Sequence, residues 1–113
     1  MHSISRRMFL GMLLAGSLAR SAFAAPERIT VEVWKDPACG CCNDWIRHLE
    51  ENGFSVTSHD TGHTAARTRL GMPAKFASCH TARVGAYIVE GHVPAADIRW
   101  LLRERPTGVG LAV

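Results

Sequence analysis

Three of the four cysteines in this 113-residue chain fall within four positions, Cys39-Gly40-Cys41-Cys42. An alternating apolar pattern over residues 29–33 predicts a β-strand before this cluster. Apolar residues at helical spacing over residues 42–49 predict an α-helix directly after it. The cysteines therefore lie at a helix N-terminus, where unpaired backbone N–H groups and the helix dipole stabilise a thiolate.

The remaining pattern predicts an α/β chain of the order β-α-β-α-β-β-α, with a small mixed sheet and helices on its faces. This alternation suits several small folds, but a Cys-x-x-Cys pair beside a βαβ pattern favours a thioredoxin-like one. The apolar tail, residues 108–113, is expected to be irregular. The further predicted elements are a strand at 54–58, a helix at 61–70, a hairpin at 81–84 and 86–89, and a helix between Pro94 and Pro106.

The N-terminus has the pattern of an export signal. Ser5-Arg6-Arg7-Met8-Phe9-Leu10 opens a short apolar run, and Ala22-Phe23-Ala24 is typical of a cleavage site. We predict a twin-arginine-type signal peptide at residues 1–24 and one domain at residues 25–113. The alternative is a membrane anchor, but the apolar run is short for a span. After cleavage we expect no membrane association.

The net charge gives no indication of a nucleic-acid partner. The chain carries a formal charge of +3, and the three arginines of the first 24 residues account for all of it. No basic patch is expected on the exported domain, so a nucleic-acid-binding function is excluded.

Exported cysteines form disulfides, redox centres or metal sites. Cys39 and Cys42 alone would indicate an ordinary redox pair. Cys41 is different, because a third thiol inside the loop would compete for any mixed disulfide. Cys79 lies 37 residues beyond Cys42, before a predicted strand whose entry runs beside the Cys-x-x-Cys loop in a thioredoxin-like fold. Four thiolates would then converge, and such soft ligands select copper(I), zinc or iron–sulfur clusters.

Among these metals the spacing favours copper. The second Cys-x-x-Cys knuckle of a four-cysteine zinc site is missing, and no usual iron–sulfur spacing is present. Copper(I) accepts low coordination and bridging thiolates, so we predict a copper(I) centre or a small copper cluster. Two alternatives stay open: a thiol–disulfide oxidoreductase with Cys39 and Cys42 as its catalytic pair, and a structural module with two disulfides. Whether the protein is an enzyme, with copper or thiol redox activity, also stays open.

Two histidines are secondary ligand candidates. His80 adjoins Cys79, although strand alternation should point the two side chains in opposite directions. His92 lies on a predicted turn before the last helix. The tryptophans are expected to pack in the core or to shield the site from water; they are Trp34, Trp45 and Trp100.

An ordered set of motifs over residues 31–113 resembles the CopG-type periplasmic copper-resistance proteins. The resemblance implies a thioredoxin-like fold, a periplasmic location, copper bound by Cys39, Cys41, Cys42 and Cys79, and a role among other periplasmic copper-handling proteins. The motifs are Cys39-Gly40-Cys41-Cys42-x-x-Trp45, Leu70-Gly71-x-Pro73, Ser78-Cys79-His80-Thr81, Tyr87, Glu90-Gly91-His92-Val93-Pro94-Ala95-Ala96-Asp97-Ile98, Arg105-Pro106 and Gly110-Leu111-Ala112-Val113.

Overall fold

The computed structural model describes Gly16 and residues 27–113. The predicted signal peptide lies outside this part of the chain, apart from Gly16, so its export and cleavage stay predictions. Within the described residues, no helix has the length and apolar character needed to cross a bilayer.

The elements follow the predicted order and continue beyond it with one more strand. Gly53, with φ of 88°, takes the left-handed conformation expected just after the first helix. In chain order the elements are β1 (Ile29–Lys35), α1 (Gly40–Glu51), β2 (Phe54–His59), α2 (His63–Leu70), a 3₁₀ turn (Ala74–Phe76), β3 (His80–Val84), β4 (Tyr87–Glu90), α3 (Ala95–Glu104) and β5 (Gly110–Ala112).

The five strands form one mixed sheet in the order β2-β1-β3-β4-β5. β1 and β2 run parallel, and β3 runs antiparallel to both β1 and β4. Helices α1 and α3 pack on one face, where Trp45, Leu49 and Ile98 join the core formed by alternate strand residues. Helix α2 lies on the opposite face. There the guanidinium of Arg69 in α2 lies over the ring of Trp34 in β1, 5.2 Å from its centroid. The α/β, thioredoxin-like architecture predicted from the sequence is confirmed.

The tail is the part of the fold that the sequence analysis predicted wrongly. Residues 110–112 form β5, parallel to β4, and the Ile88 N–H donates to the Val109 carbonyl at 2.9 Å. Gly110 allows this pairing, because a Cβ there would overlap the Ile88 carbonyl. The strand is held by backbone hydrogen bonds and by half-buried Leu111. Its short sequence has no apolar alternation, so the pattern did not predict a strand.

Candidate metal centre

The turn between β1 and α1 fixes the cysteine cluster at the start of the helix. The Cys39 N–H donates to the Asp36 carbonyl at 3.1 Å, and the Asp36 carboxylate accepts from the Ala38 N–H at 2.8 Å. Cys39 is the N-cap residue of α1, in an extended conformation. Cys41 and Cys42 therefore lie in the first turn, where the backbone N–H groups have no helical partner.

The structure brings all four cysteines together, as expected from the fold. Their Sγ atoms all lie within 4.8 Å of one another. Cys39 and Cys42 are joined as a disulfide, with 5.5 Å between their Cα atoms. Cys41 and Cys79 are free thiols, and Cys41 Sγ lies 3.2 Å from Cys39 Sγ and 3.9 Å from Cys79 Sγ. One disulfide and two adjacent thiols thus share a site that also has the composition of a four-thiolate metal centre.

The neighbouring thiol perturbs Cys41. The hydrogen bond that the Cys41 thiol shares with Cys79 raises the pKa of Cys41, desolvation and the charge of Cys79 raise it further, and the backbone N–H groups of Cys41 and Cys42 lower it. A second negative charge at this site is therefore disfavoured unless a cation accompanies it. A bound metal cation would favour ionisation of these thiols, because cysteine binds metals as the thiolate.

His80 lies on the same side as the cysteine cluster, and our expectation that it would point away from Cys79 was wrong. Cys79 precedes β3, so strand alternation does not govern its side chain. His80 Nδ1 lies 3.2 Å from Cys42 Sγ, and Nε2 donates to the Gly91 carbonyl at 2.8 Å. The ring is fully buried, and this burial lowers the pKa of His80. The imidazole is therefore neutral at neutral pH.

His92 also reaches the site, from the turn between β4 and α3. Its ring is exposed and lies 5.4 Å from the His80 ring, centroid to centroid. Nitrogen atoms of both histidines lie within 4.8 Å of each other and of Cys79 Sγ. The structure thus places both secondary candidates beside the cysteine cluster.

The tryptophans divide into two groups. Trp45 is buried in α1, stacks on His80 with 4.4 Å between ring centroids, and donates its Nε1–H to the Val93 carbonyl at 2.8 Å. Trp34 is also buried, but Trp100 is exposed. The expectation that all three pack in the core or cover the site was wrong for Trp100.

The sequence analysis missed an ion pair that supports the site. The Glu90 carboxylate in β4 is buried and accepts from Arg67 Nε of α2 at 2.9 Å. The same carboxylate oxygen accepts from the Ser78 N–H at 2.8 Å, while Arg67 donates to the Ser78 carbonyl. Both backbone groups of the residue before Cys79 are therefore held by this pair. An acidic residue in an otherwise apolar strand was the available signal.

Comparisons with known proteins agree with this architecture. Two solved structures, described as copper resistance protein CopG, Form 1 and Form 2, each match with 52% sequence identity and a TM-score of 0.71. Each match covers 77% of this chain and 70% of the other. A sequence-family model described as protein of unknown function, DUF411, matches residues 76–113. No curated protein matches the chain.

Proposed function

Because this chain belongs to the family of CopG copper-resistance proteins, we propose that it binds copper(I) through Cys39, Cys41, Cys42 and Cys79. The observation that carries this proposal is the convergence of four Sγ atoms within 4.8 Å at a helix N-terminus. Soft thiolates are the ligands that copper(I) prefers. In this state the Cys39–Cys42 disulfide is reduced, and the metal charge would offset the repulsion among the converging thiolates.

The arrangement of thiolates supports a centre in which sulfur atoms bridge copper ions. Cys41 and Cys42 are neighbours in the first turn of α1, yet Cys42 is buried and Cys41 is exposed. Their thiolates therefore lie on different sides of the cluster, one exposed and one buried. Cys79, directly before β3, provides the fourth thiolate. One ion held by Cys39, Cys42 and Cys79 leaves Cys41 available to a second ion.

Anaerobic titration of the reduced protein with copper(I) tests this proposal. We expect at least about one equivalent to bind per chain, and we expect the variant with both Cys41→Ser and Cys79→Ser to lose high-affinity binding. His59→Ala serves as the control, since His59 belongs to neither group of clustered ligand residues. Saturation below one equivalent, or unchanged binding by the double variant, contradicts the proposal.

We also propose the cellular setting from the N-terminal pattern. Export by the twin-arginine route and cleavage after residue 24 would deliver the domain to the periplasm. Copper-handling proteins of that compartment are then its partners. Copper resistance would follow from sequestering the ion or from changing its oxidation state.

A thiol–disulfide oxidoreductase is the second candidate, because the structure pairs Cys39 with Cys42. Cys39 is half-exposed and Cys42 is buried, which suits attack by the Cys39 thiolate on a substrate disulfide. The Cys42 thiolate would then attack the Cys39 sulfur of the mixed disulfide. This step forms the Cys39–Cys42 disulfide and releases the substrate as a dithiol.

An insulin-reduction assay on the metal-free protein, with dithiothreitol as the reductant, separates the two candidates. For the copper proposal we expect turnover no faster than that of the variant with both Cys39→Ser and Cys42→Ser. Turnover that requires Cys39 and Cys42 but is unchanged in Cys79→Ser would favour the oxidoreductase.

A further inference from the structure

A cavity of about 380 Å³ lies between the 3₁₀ turn and the strands β4 and β5. Its lining contains neither a cysteine nor a histidine, so it is distinct from the candidate metal centre. The lining is apolar except for one charged residue, Glu90. Small-molecule sites are typically clefts of about 300–1,000 Å³ with apolar walls and a few polar groups. The cavity has both the size and the lining of such a site.

The register of the two strands explains why this space is open. Gly110 pairs with Ile88 and Ala112 pairs with Glu90, and paired residues lie on the same face of a sheet. Glycine and alanine fill little of the volume above that face. Phe76 of the 3₁₀ turn also lines the cavity and is about half exposed. An exposed aromatic ring beside an apolar cleft is a feature of binding grooves.

The carboxylate of Glu90 has one oxygen available to an occupant of the cavity. Oε1 accepts from Arg67 Nε at 2.9 Å and from the Ser78 N–H at 2.8 Å. Oε2 is buried, and no residue in the described part of the chain donates to it. A buried acceptor without a donor is rare, and leaving it unpaired is costly. Because Oε1 is committed to Arg67 and Ser78, Oε2 is the oxygen left for a donor from a ligand.

The charge at this position limits the class of ligand. Arg67 Nη2 lies 2.8 Å from Glu90 Oε1, so the carboxylate already has a counter-charge. A cationic ligand would lie close to the guanidinium, and an anionic ligand would be repelled by the carboxylate. A neutral O–H or N–H group meets neither penalty, and its hydrogen bond to a carboxylate is of the stronger, charge-assisted kind.

We propose that this cavity binds a neutral, apolar small molecule that donates one hydroxyl or N–H group to Glu90 Oε2. The apolar walls bury the body of the ligand, and the single carboxylate oxygen orients it. This site goes beyond the proposed copper function, and it uses none of the four cysteines.

Titration with 2-naphthol, followed by amide NMR, tests the proposal. We expect the amide signals of Ile88, Gly110 and Ala112 to shift on binding. Naphthalene lacks the hydroxyl and 2-methoxynaphthalene lacks only its proton, so both should bind at least about tenfold more weakly. In Glu90→Gln, the side-chain oxygen can still face Arg67 and Ser78, which places the NH₂ group at the position of Oε2. This variant should lose the preference for 2-naphthol over 2-methoxynaphthalene.

A second variant tests the location of the site. Ala112→Leu fills the cavity from an exposed position and should abolish binding of 2-naphthol. Ala96→Leu makes the same change on exposed Ala96 of α3, outside the cavity, and should leave binding unchanged. Absence of shifts with 2-naphthol, equal affinity of the wild-type protein for all three compounds, or unchanged binding by Ala112→Leu overturns the inference. The comparison of the three compounds on wild-type protein decides the matter if a variant fails to fold. No outcome depends on copper, so the copper(I) titration stands or fails separately.

Discussion

Replacing Arg67 with methionine is expected to lower the free energy of unfolding by about 3–5 kcal/mol. The Glu90 side chain is 1% exposed and that of Arg67 is 12% exposed, with 2.8 Å between Arg67 Nη2 and Glu90 Oε1. Among the described residues, buried Glu90 Oε2 has no hydrogen-bond partner, so the guanidinium is the main compensation for this charge. Removing one partner of a buried ion pair leaves the other charge uncompensated in a medium that solvates it poorly.

Urea denaturation monitored by circular dichroism measures this effect, and two further variants identify its cause. The variant with both Arg67→Met and Glu90→Gln removes both charges but keeps an oxygen for the Ser78 N–H, so we expect it to recover more than half of the loss. Arg83→Met breaks an ion pair with Glu32 in which the Arg83 side chain is 54% exposed, and it should cost less than about 1 kcal/mol. Equal costs for Arg67→Met and Arg83→Met would refute the argument from burial.

The ion pair also connects the fold to the metal site. Glu90 accepts from the Ser78 N–H and Arg67 donates to the Ser78 carbonyl, so the backbone directly before Cys79 is held from both sides. When this support is lost, the Cys79 thiol is less precisely placed against Cys41. The affinity of folded Arg67→Met for copper(I) should therefore be lower than that of the wild-type protein.

Much of the fold could be predicted from local patterns. Each strand of the predicted order has either alternating or continuous apolar residues, and α1 and α3 have apolar residues at helical spacing. Strand β5 is also apolar, but it is only three residues long and begins with Gly110, so its sequence gives no strand pattern. It pairs with β4 through backbone groups around Gly110. Its pairing depends on where the rest of the chain has already placed the β4 edge, which no local window of sequence contains.

The same distinction between local patterns and long-range contacts applies to the site. Cys39, Cys41 and Cys42 are adjacent in sequence, and the thioredoxin-like topology was enough to add Cys79. The orientation of His80 was not predictable from alternation, since it depends on Cys79 lying just outside β3. The contact between Arg67 and Glu90 joins α2 to β4 across 23 positions, and only the folded arrangement brings them together.

Truncating Trp45 to alanine is the second change with a large expected effect, a loss of about 3–5 kcal/mol in the free energy of unfolding. The side chain is 5% exposed and belongs to the core between α1 and the sheet. Its removal leaves a cavity beside His80, whose ring it contacts at 4.4 Å between centroids. It also removes the donor of the Val93 carbonyl, which accepts from Trp45 Nε1 at 2.8 Å.

Two milder substitutions separate the contributions of the Trp45 ring and its hydrogen bond. Trp45→Phe keeps an aromatic ring against His80 but leaves the buried Val93 carbonyl without this donor, at an expected cost of about 1–3 kcal/mol. Trp100→Phe changes a side chain that is 43% exposed and should stay within about 0.5 kcal/mol of wild type. If Trp45→Phe matched Trp100→Phe in urea denaturation, the hydrogen bond to Val93 would contribute nothing. If it matched Trp45→Ala, packing of the ring would be irrelevant. An intermediate value means that Trp45 stabilises the turn carrying His92 and the buried ring of His80 by two separate contacts.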